Sequence, residues 1–181
     1  AVYPEPMTIG RFIRSIALLL ALAPGARADI AWPDRSSEVS LPFRLVNNHI
    51  YLGMALNGHA PQPFIFDTGA VFILDKAHGA ALGIVADATV PNRGFAGGLA
   101  FAGVARIASA DLGGLAFAGQ DAEIMNLAGL AAAEGEDVAG LIGYQALAQT
   151  IVAIDYENRR IRFIKPAEFR PPPGVAAVAL D

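Results

Sequence analysis

Phe64-Ile65-Phe66-Asp67-Thr68-Gly69-Ala70 delivers one aspartate from a run of strand-forming apolar residues into a tight Thr-Gly turn. Val71-Phe72-Ile73-Leu74 follows at once, so the carboxylate is expected between two apolar segments, where water is scarce. A carboxylate in that setting is a candidate for acid–base chemistry. The blander alternative is a structural aspartate that caps its own turn through an Asx-type hydrogen bond.

Upstream, Glu38 to Val46 alternates enough to predict one strand, Asn47-Asn48 a turn, and His49 to Leu56 a second strand. Asn57-Gly58 is the strongest short hairpin signal in the chain. Pro61 and Pro63 bound the next connection and leave Phe64 to Phe66 as a short buried strand. Downstream, Val71 to Leu74 predicts another strand, and Asp75 suits the N-cap of a short helix, Lys76 to Leu82, closed by Gly83. Gly97-Gly98 and Gly113-Gly114 flank the apolar run Leu99 to Ile107, which is hairpin material. Gln120 to Leu127 predicts a strand, and Ala128 to Asp137 either a short helix or a surface loop. Val138 to Gly143 is an apolar strand ending on glycine, and Tyr144 to Gln149 holds helix formers. Thr150 to Tyr156 and Arg160 to Ile164 make a closing hairpin about Glu157-Asn158, and Pro171-Pro172-Pro173 ends the domain.

Composition bounds the function. The chain has 181 residues, 54% of them hydrophobic, a formal charge of −4 and no cysteine. That is one domain with ample apolar material for a core. Its 19 glycines and 12 prolines favour short strands and frequent turns over long helices. Mild acidity and the absence of any long Lys/Arg run argue against nucleic acid as a partner. His49, His59 and His78 are scattered without a second ligand at metal spacing, so they read as surface or loop histidines and no metal is expected. Without cysteine or a Gly-x-Ser-x-Gly element, nucleophilic hydrolysis has no candidate, and the glycine clusters lack the Lys-Ser/Thr of a phosphate loop. No cofactor is expected. Asp155 and Asp111 read as turn residues.

The N-terminus has the pattern of an export signal. Arg11 and Arg14 precede an apolar run from Ile16 to Ala23, Pro24-Gly25 breaks it, and Ala26-Arg27-Ala28 offers a cleavage site before Asp29. Residues 1–28 are therefore expected to be a signal peptide, with Met7 as the start and residues 1–6 upstream of it. The apolar run is far shorter than the roughly 20 residues a membrane-spanning helix needs, and no cysteine exists to carry a lipid. The expected location is the periplasm or outside the cell.

Across residues 38–165 the order of parts resembles the retropepsin-like, single-lobe aspartic proteases of the exported bacterial type. The resemblance rests on Phe64 to Ala70, the glycine-bearing region Gly94 to Phe101, Leu141-Ile142-Gly143, the helix formers of Tyr144 to Gln149, and the hairpin Ile151 to Ile164. Asp-Thr-Gly alone is a weak pattern, but the ordered set is fairly specific. It implies a mainly β fold with one or two short helices, and an endopeptidase in which two carboxylates share one proton and activate a water. It assigns Asp67, Thr68 and Gly69 to catalysis, and Ala70, Phe95, Gly97 and Phe101 to substrate binding. Leu141, Ile142 and Gly143 would support the active-site loop from beneath and fix the aspartate's rotamer, and Thr68 would hydrogen-bond across the dyad. The chain departs from many relatives in having no tyrosine between Pro91 and Arg106.

The sequence contains a single Asp-Thr-Gly. The resemblance therefore implies a homodimer with Asp67 of each copy at a two-fold axis, acting on a peptide or protein substrate. Residues 166–181 read as a Pro-rich tail or linker, like the segment that opens a second lobe in two-lobed relatives. Two other readings stay open: a non-catalytic domain of the same fold that binds peptides or dimerises, and an inactive first lobe whose partner lobe is absent.

Overall fold

The computed structural model describes residues 30–33, 36–93 and 99–174, with only the backbone described at Asn92, Arg93, Leu99, Ala100, Gln145 and Leu147. The expected export segment 1–28 and the expected substrate-binding residues Phe95 and Gly97 lie outside the described residues. The chain is mainly β. Strands β1 (Ile30–Ala31), β2 (Glu38–Pro42), β3 (Arg44–Val46), β4 (His49–Leu56), β5 (Gln62–Phe66) and β6 (Ile73–Asp75) lead into helix α1 (Lys76–Ala81). Then come β7 (Ala88–Arg93), β8 (Leu99–Leu112), β9 (Leu115–Met125), α2 (Ala128–Glu134), β10 (Gly140–Ile142), α3 (Tyr144–Leu147), β11 (Ile151–Asp155) and β12 (Arg160–Ile164).

The larger sheet closes on itself. β4 pairs with β5, β5 with β10, β10 with β6, β6 with β9 and β9 with β8, and β8 returns to β4. Closure leaves these strands without an open edge. It encloses Met54, Leu56, Phe64, Leu74, Ile107 and Phe117, all essentially inaccessible to water. Each such side chain contributes roughly 1.5–3 kcal/mol by burial. On the opposite face, Tyr51, Ile65, Ile73 and Leu141 pack beneath Leu127, Leu130 and Ala131 at the start of α2. A second sheet, β11-β12-β2, lays Val39, Ile161 and Phe163 onto the main core.

β10 has the decisive position. It runs parallel to β5, with Leu141 opposite Ile65 and Ile142 opposite Phe66, and antiparallel to β6, with Gly140 opposite Leu74. A strand from late in the chain is thus inserted between the two strands that flank Asp67. Covered on both faces, β5 and β10 need unbroken apolar runs, and Phe64-Ile65-Phe66 and Leu141-Ile142 supply them.

Three expectations need correction. Glu38 to Val46 is two strands in different sheets: β2 pairs with β12, and β3 with β4. The β2–β12 ladder runs one rung past Pro42, the Phe43 N–H donating to the Arg159 carbonyl at 2.9 Å, and ends there because Arg159, at positive φ, belongs to the turn that precedes β12. The strand expected over Val71 to Leu74 forms only at Ile73–Asp75, leaving Val71 44% exposed. The apolar run Leu99 to Ile107 continues as one strand to Leu112. β1, which pairs with Phe117 and Ala116 of β9, was too short to give any periodicity. The Asn57-Gly58 turn does form, with both residues at positive φ as a tight hairpin connection requires. The segment Ala128 to Asp137 resolves to a helix as far as Glu134.

Candidate active site

Asp67 stands one residue beyond β5. Its backbone N–H donates to the Ile142 carbonyl at 3.0 Å, so the β5–β10 ladder extends into the loop itself. The loop then turns within four residues, the Ala70 N–H donating to the Asp67 carbonyl at 3.0 Å. Inside that turn the Gly69 N–H donates to Asp67 Oδ1 at 2.9 Å and orients the carboxylate. The Tyr144 N–H, at the start of α3, closes onto the Ala70 carbonyl at 3.1 Å.

Gly143 permits this seating. A Cβ at that position would fall within the van der Waals radius of the Asp67 carbonyl oxygen. No other residue type lets β10 pass so close beneath the loop. Ile142 and Gly143 therefore lie against the backbone of the Asp67 turn, and the Gly69 N–H holds one oxygen of its carboxylate. Phe66, next to Asp67 on the chain, is anchored edge-on against Phe163 of β12 with ring centroids 6.1 Å apart.

Asp67 and Thr68 open onto a cleft of ≈ 540 Å³ floored by Ile65 and Leu141. Its walls are the Asn48–His49 corner, the α2 start at Leu127 and Leu130, and Ile154 and Tyr156 from the end of β11. The expected dehydration of Asp67 is not found in the single chain. Its carboxylate is partly exposed, and Thr68 and Gly69 are exposed. Ala70 is half-buried. Phe101 is 70% exposed on β8, opposite Pro91, and does not line the cleft. Asp111 and Asp155 have local duties: Asp111 accepts the Gly114 N–H at 2.9 Å and Asp155 the Asn158 N–H at 2.9 Å.

One polar cluster at the cleft rim escaped sequence reasoning. Glu134, the last residue of α2, has a side chain only 6% exposed. Tyr51 Oη donates to its Oε2 at 3.3 Å, and its Oε1 lies 2.9 Å from Nδ1 of His49. Asn47 Nδ2 donates to the Glu134 backbone carbonyl at 2.9 Å. Burial, with the Glu134 charge behind it, pushes the Tyr51 hydroxyl up to about 12, so Tyr51 is a permanent donor here. The cluster is built from both ends: Asn47 and Asn48, at positive φ, turn β3 into β4 and present His49, while Gly135 closes α2 in a left-handed cap. A signal was available, since Leu127, Leu130, Ala131 and Glu134 share one helical face, and a carboxylate on an apolar stripe demands partners.

No curated protein matches the chain. A crystal structure of a retropepsin-like aspartic protease from Rickettsia conorii is similar to it at 17% sequence identity and a TM-score of 0.49, over 75% of this chain and 91% of that one. The family model for aspartyl proteases matches residues 52–146, a span running from β4 through the Asp67 turn and Leu141-Ile142-Gly143 into α3. With more than half its length in that match, the chain belongs to the aspartyl protease family.

Proposed function

We propose that the chain is an aspartic endopeptidase whose catalytic dyad is Asp67 of one copy and Asp67 of a second. The observation that carries this reading is the Asp67 turn, seated on β10 with its carboxylate open to a peptide-sized cleft. In the proposed reaction one carboxylate takes a proton from water as the water oxygen attacks the scissile carbonyl carbon. The other, protonated, gives its proton to the carbonyl oxygen. The resulting gem-diol collapses by breaking the C–N bond: the nitrogen takes the proton held by the first carboxyl group, and a gem-diol hydroxyl gives its proton to the second, which restores the dyad. Two carboxylates sharing one proton fill both roles, because like charges at short range cannot both ionise comfortably.

Asp67 is the one carboxylate among the described residues lining the cleft, so a second is sought on another copy. A second copy is favoured by what surrounds the loop: Thr68 is exposed, and Val71 and Tyr144 present apolar surface at 44% and 63% exposure. A two-fold interface over this face would cover them, exclude water from the paired carboxylates and let Thr68 of each copy hydrogen-bond across the axis. The β7–β8 hairpin would close over an extended peptide.

The reading includes export, on the residue pattern of 7–28. Expression in a bacterium with its export machinery should yield mature protein beginning at Asp29; retention of the leader in the cytoplasm would contradict it. For activity, the purified protein should cleave unstructured peptides at acidic to neutral pH, with at least partial sensitivity to pepstatin. Asp67→Asn should abolish cleavage. A broad peptide pool left intact by the unmodified protein would refute the enzymatic reading.

A further inference from the structure

We infer that His49 selects carboxylate-bearing side chains in peptides entering the Asp67 cleft, with Glu134 as its positioning residue. The inference rests on the peptide-cleaving reading and adds a substrate class to it. The geometry comes from three elements. β4 begins at His49, the Asn47-Asn48 turn fixes the corner, and the end of α2 supplies Glu134.

Glu134 is buried and receives hydrogen bonds from neutral groups, the Tyr51 hydroxyl at 3.3 Å among them. Its other carboxylate oxygen holds His49 Nδ1 at 2.9 Å. That contact fixes the ring and commits Nδ1, so Nε2 is the nitrogen left for a ligand. The His49 side chain is half exposed, and it lines the same cleft as Asp67. With Nδ1 held by Glu134, the ring when doubly protonated presents an Nε2–H donor and a positive charge.

Among the described residues lining the cleft, His49 is the one able to carry a positive charge and Asp67 the one carrying a carboxylate. The pair polarises the cleft. An acidic substrate side chain is attracted to the His49 corner by a charge-assisted hydrogen bond and repelled from the Asp67 side. Leu130, Leu141 and Ile154 supply apolar contact between and around them. A glutamine at the same substrate position would keep the hydrogen bond and lose the charge, so the contrast between Glu and Gln isolates the effect.

The test uses the full chain carrying Asp67→Asn, which binds without turnover, and fluorescent apolar peptides with a single Glu or Gln scanned along them. Fluorescence anisotropy should show the Glu peptide at the preferred position binding about fivefold tighter than its Gln counterpart. Adding His49→Gln should remove that preference while apolar peptides still bind. Adding Glu134→Gln should weaken it, and a circular dichroism melt identifies any loss of fold. Equal binding of Glu and Gln peptides, or a preference that survives His49→Gln, would overturn the inference and leave the protease reading standing. If no peptide binds at all, both are overturned.

Discussion

Two backbone contacts set the chemistry of Asp67: its N–H on the Ile142 carbonyl and the Gly69 N–H on its own Oδ1. Asp67→Asn preserves the shape of the turn and removes the ionisable group. Cleavage should therefore fall on the order of 10²–10⁴-fold with little change in melting temperature. A melting temperature that drops sharply instead would mark Asp67 as a structural cap. Gly143→Ala should instead disturb both fold and turn, forcing β10 away from the Asp67 carbonyl. A loss of roughly 1–3 kcal/mol in urea unfolding is expected, the usual cost of overpacking, and activity should fall because the loop moves. Unchanged stability would mean that the loop tolerates displacement. Asp67 and Leu141-Ile142-Gly143 were legible in the sequence because each sits in a continuous apolar run ending at a glycine. The pairing of His49 with Glu134 was not, since the two are 85 residues apart and meet only in the folded chain.

Among the elements, α1 is tied to the segment after α2 by ionisable groups. Asp75 caps α1 by accepting the Ala77 and His78 N–H groups, and its other oxygen accepts the Leu127 N–H at 2.8 Å. His78 spans Asp75 and Asp137 through its two ring nitrogens, at 3.1 and 3.2 Å. Burial pushes the Asp75 carboxyl upward, but the hydrogen bonds from Leu127, His78 and Ala77 outweigh it and hold it below its ordinary value. Burial likewise disfavours the His78 cation, and hydrogen bonds to Asp75 and Asp137 outweigh it and raise the imidazole above its ordinary 6.5. A raised histidine stabilises the fold fully below about 6.5 and loses that contribution as pH rises through its folded value. A lowered aspartate stabilises above its ordinary 3.8 and loses that contribution as pH falls through its folded value. Both are in force between these limits. Melting temperature against pH should decline above about 6.5 more steeply in the unmodified protein than in His78→Gln; parallel curves would show that the bridge contributes nothing. The Asp75 cap was readable because capping is local. The break at Phe43 was not, because it depends on the first half of the run meeting the distant β12 while the second half pairs with β4 across the Asn47-Asn48 turn.

At the scale of the molecule, a closed sheet positions the Asp67 turn that the proposed function takes as one half of a symmetric site. Its mainly β character and the order of its parts were visible in the alternation and turn residues. That Phe101 stands outside the cleft while α2 forms one wall of it was not, because both follow from how β8 and β9 close the sheet. The central claim is that catalysis needs Asp67 from two copies. Mixing unmodified protein with Asp67→Asn protein, at concentrations where both dimerise and exchange, tests it directly. If each working site needs two intact aspartates, activity per unmodified chain should fall in proportion to the unmodified fraction, to about half at equal mixing. Activity per unmodified chain that stays constant across the mixing series would contradict the account, since each copy would then be working alone.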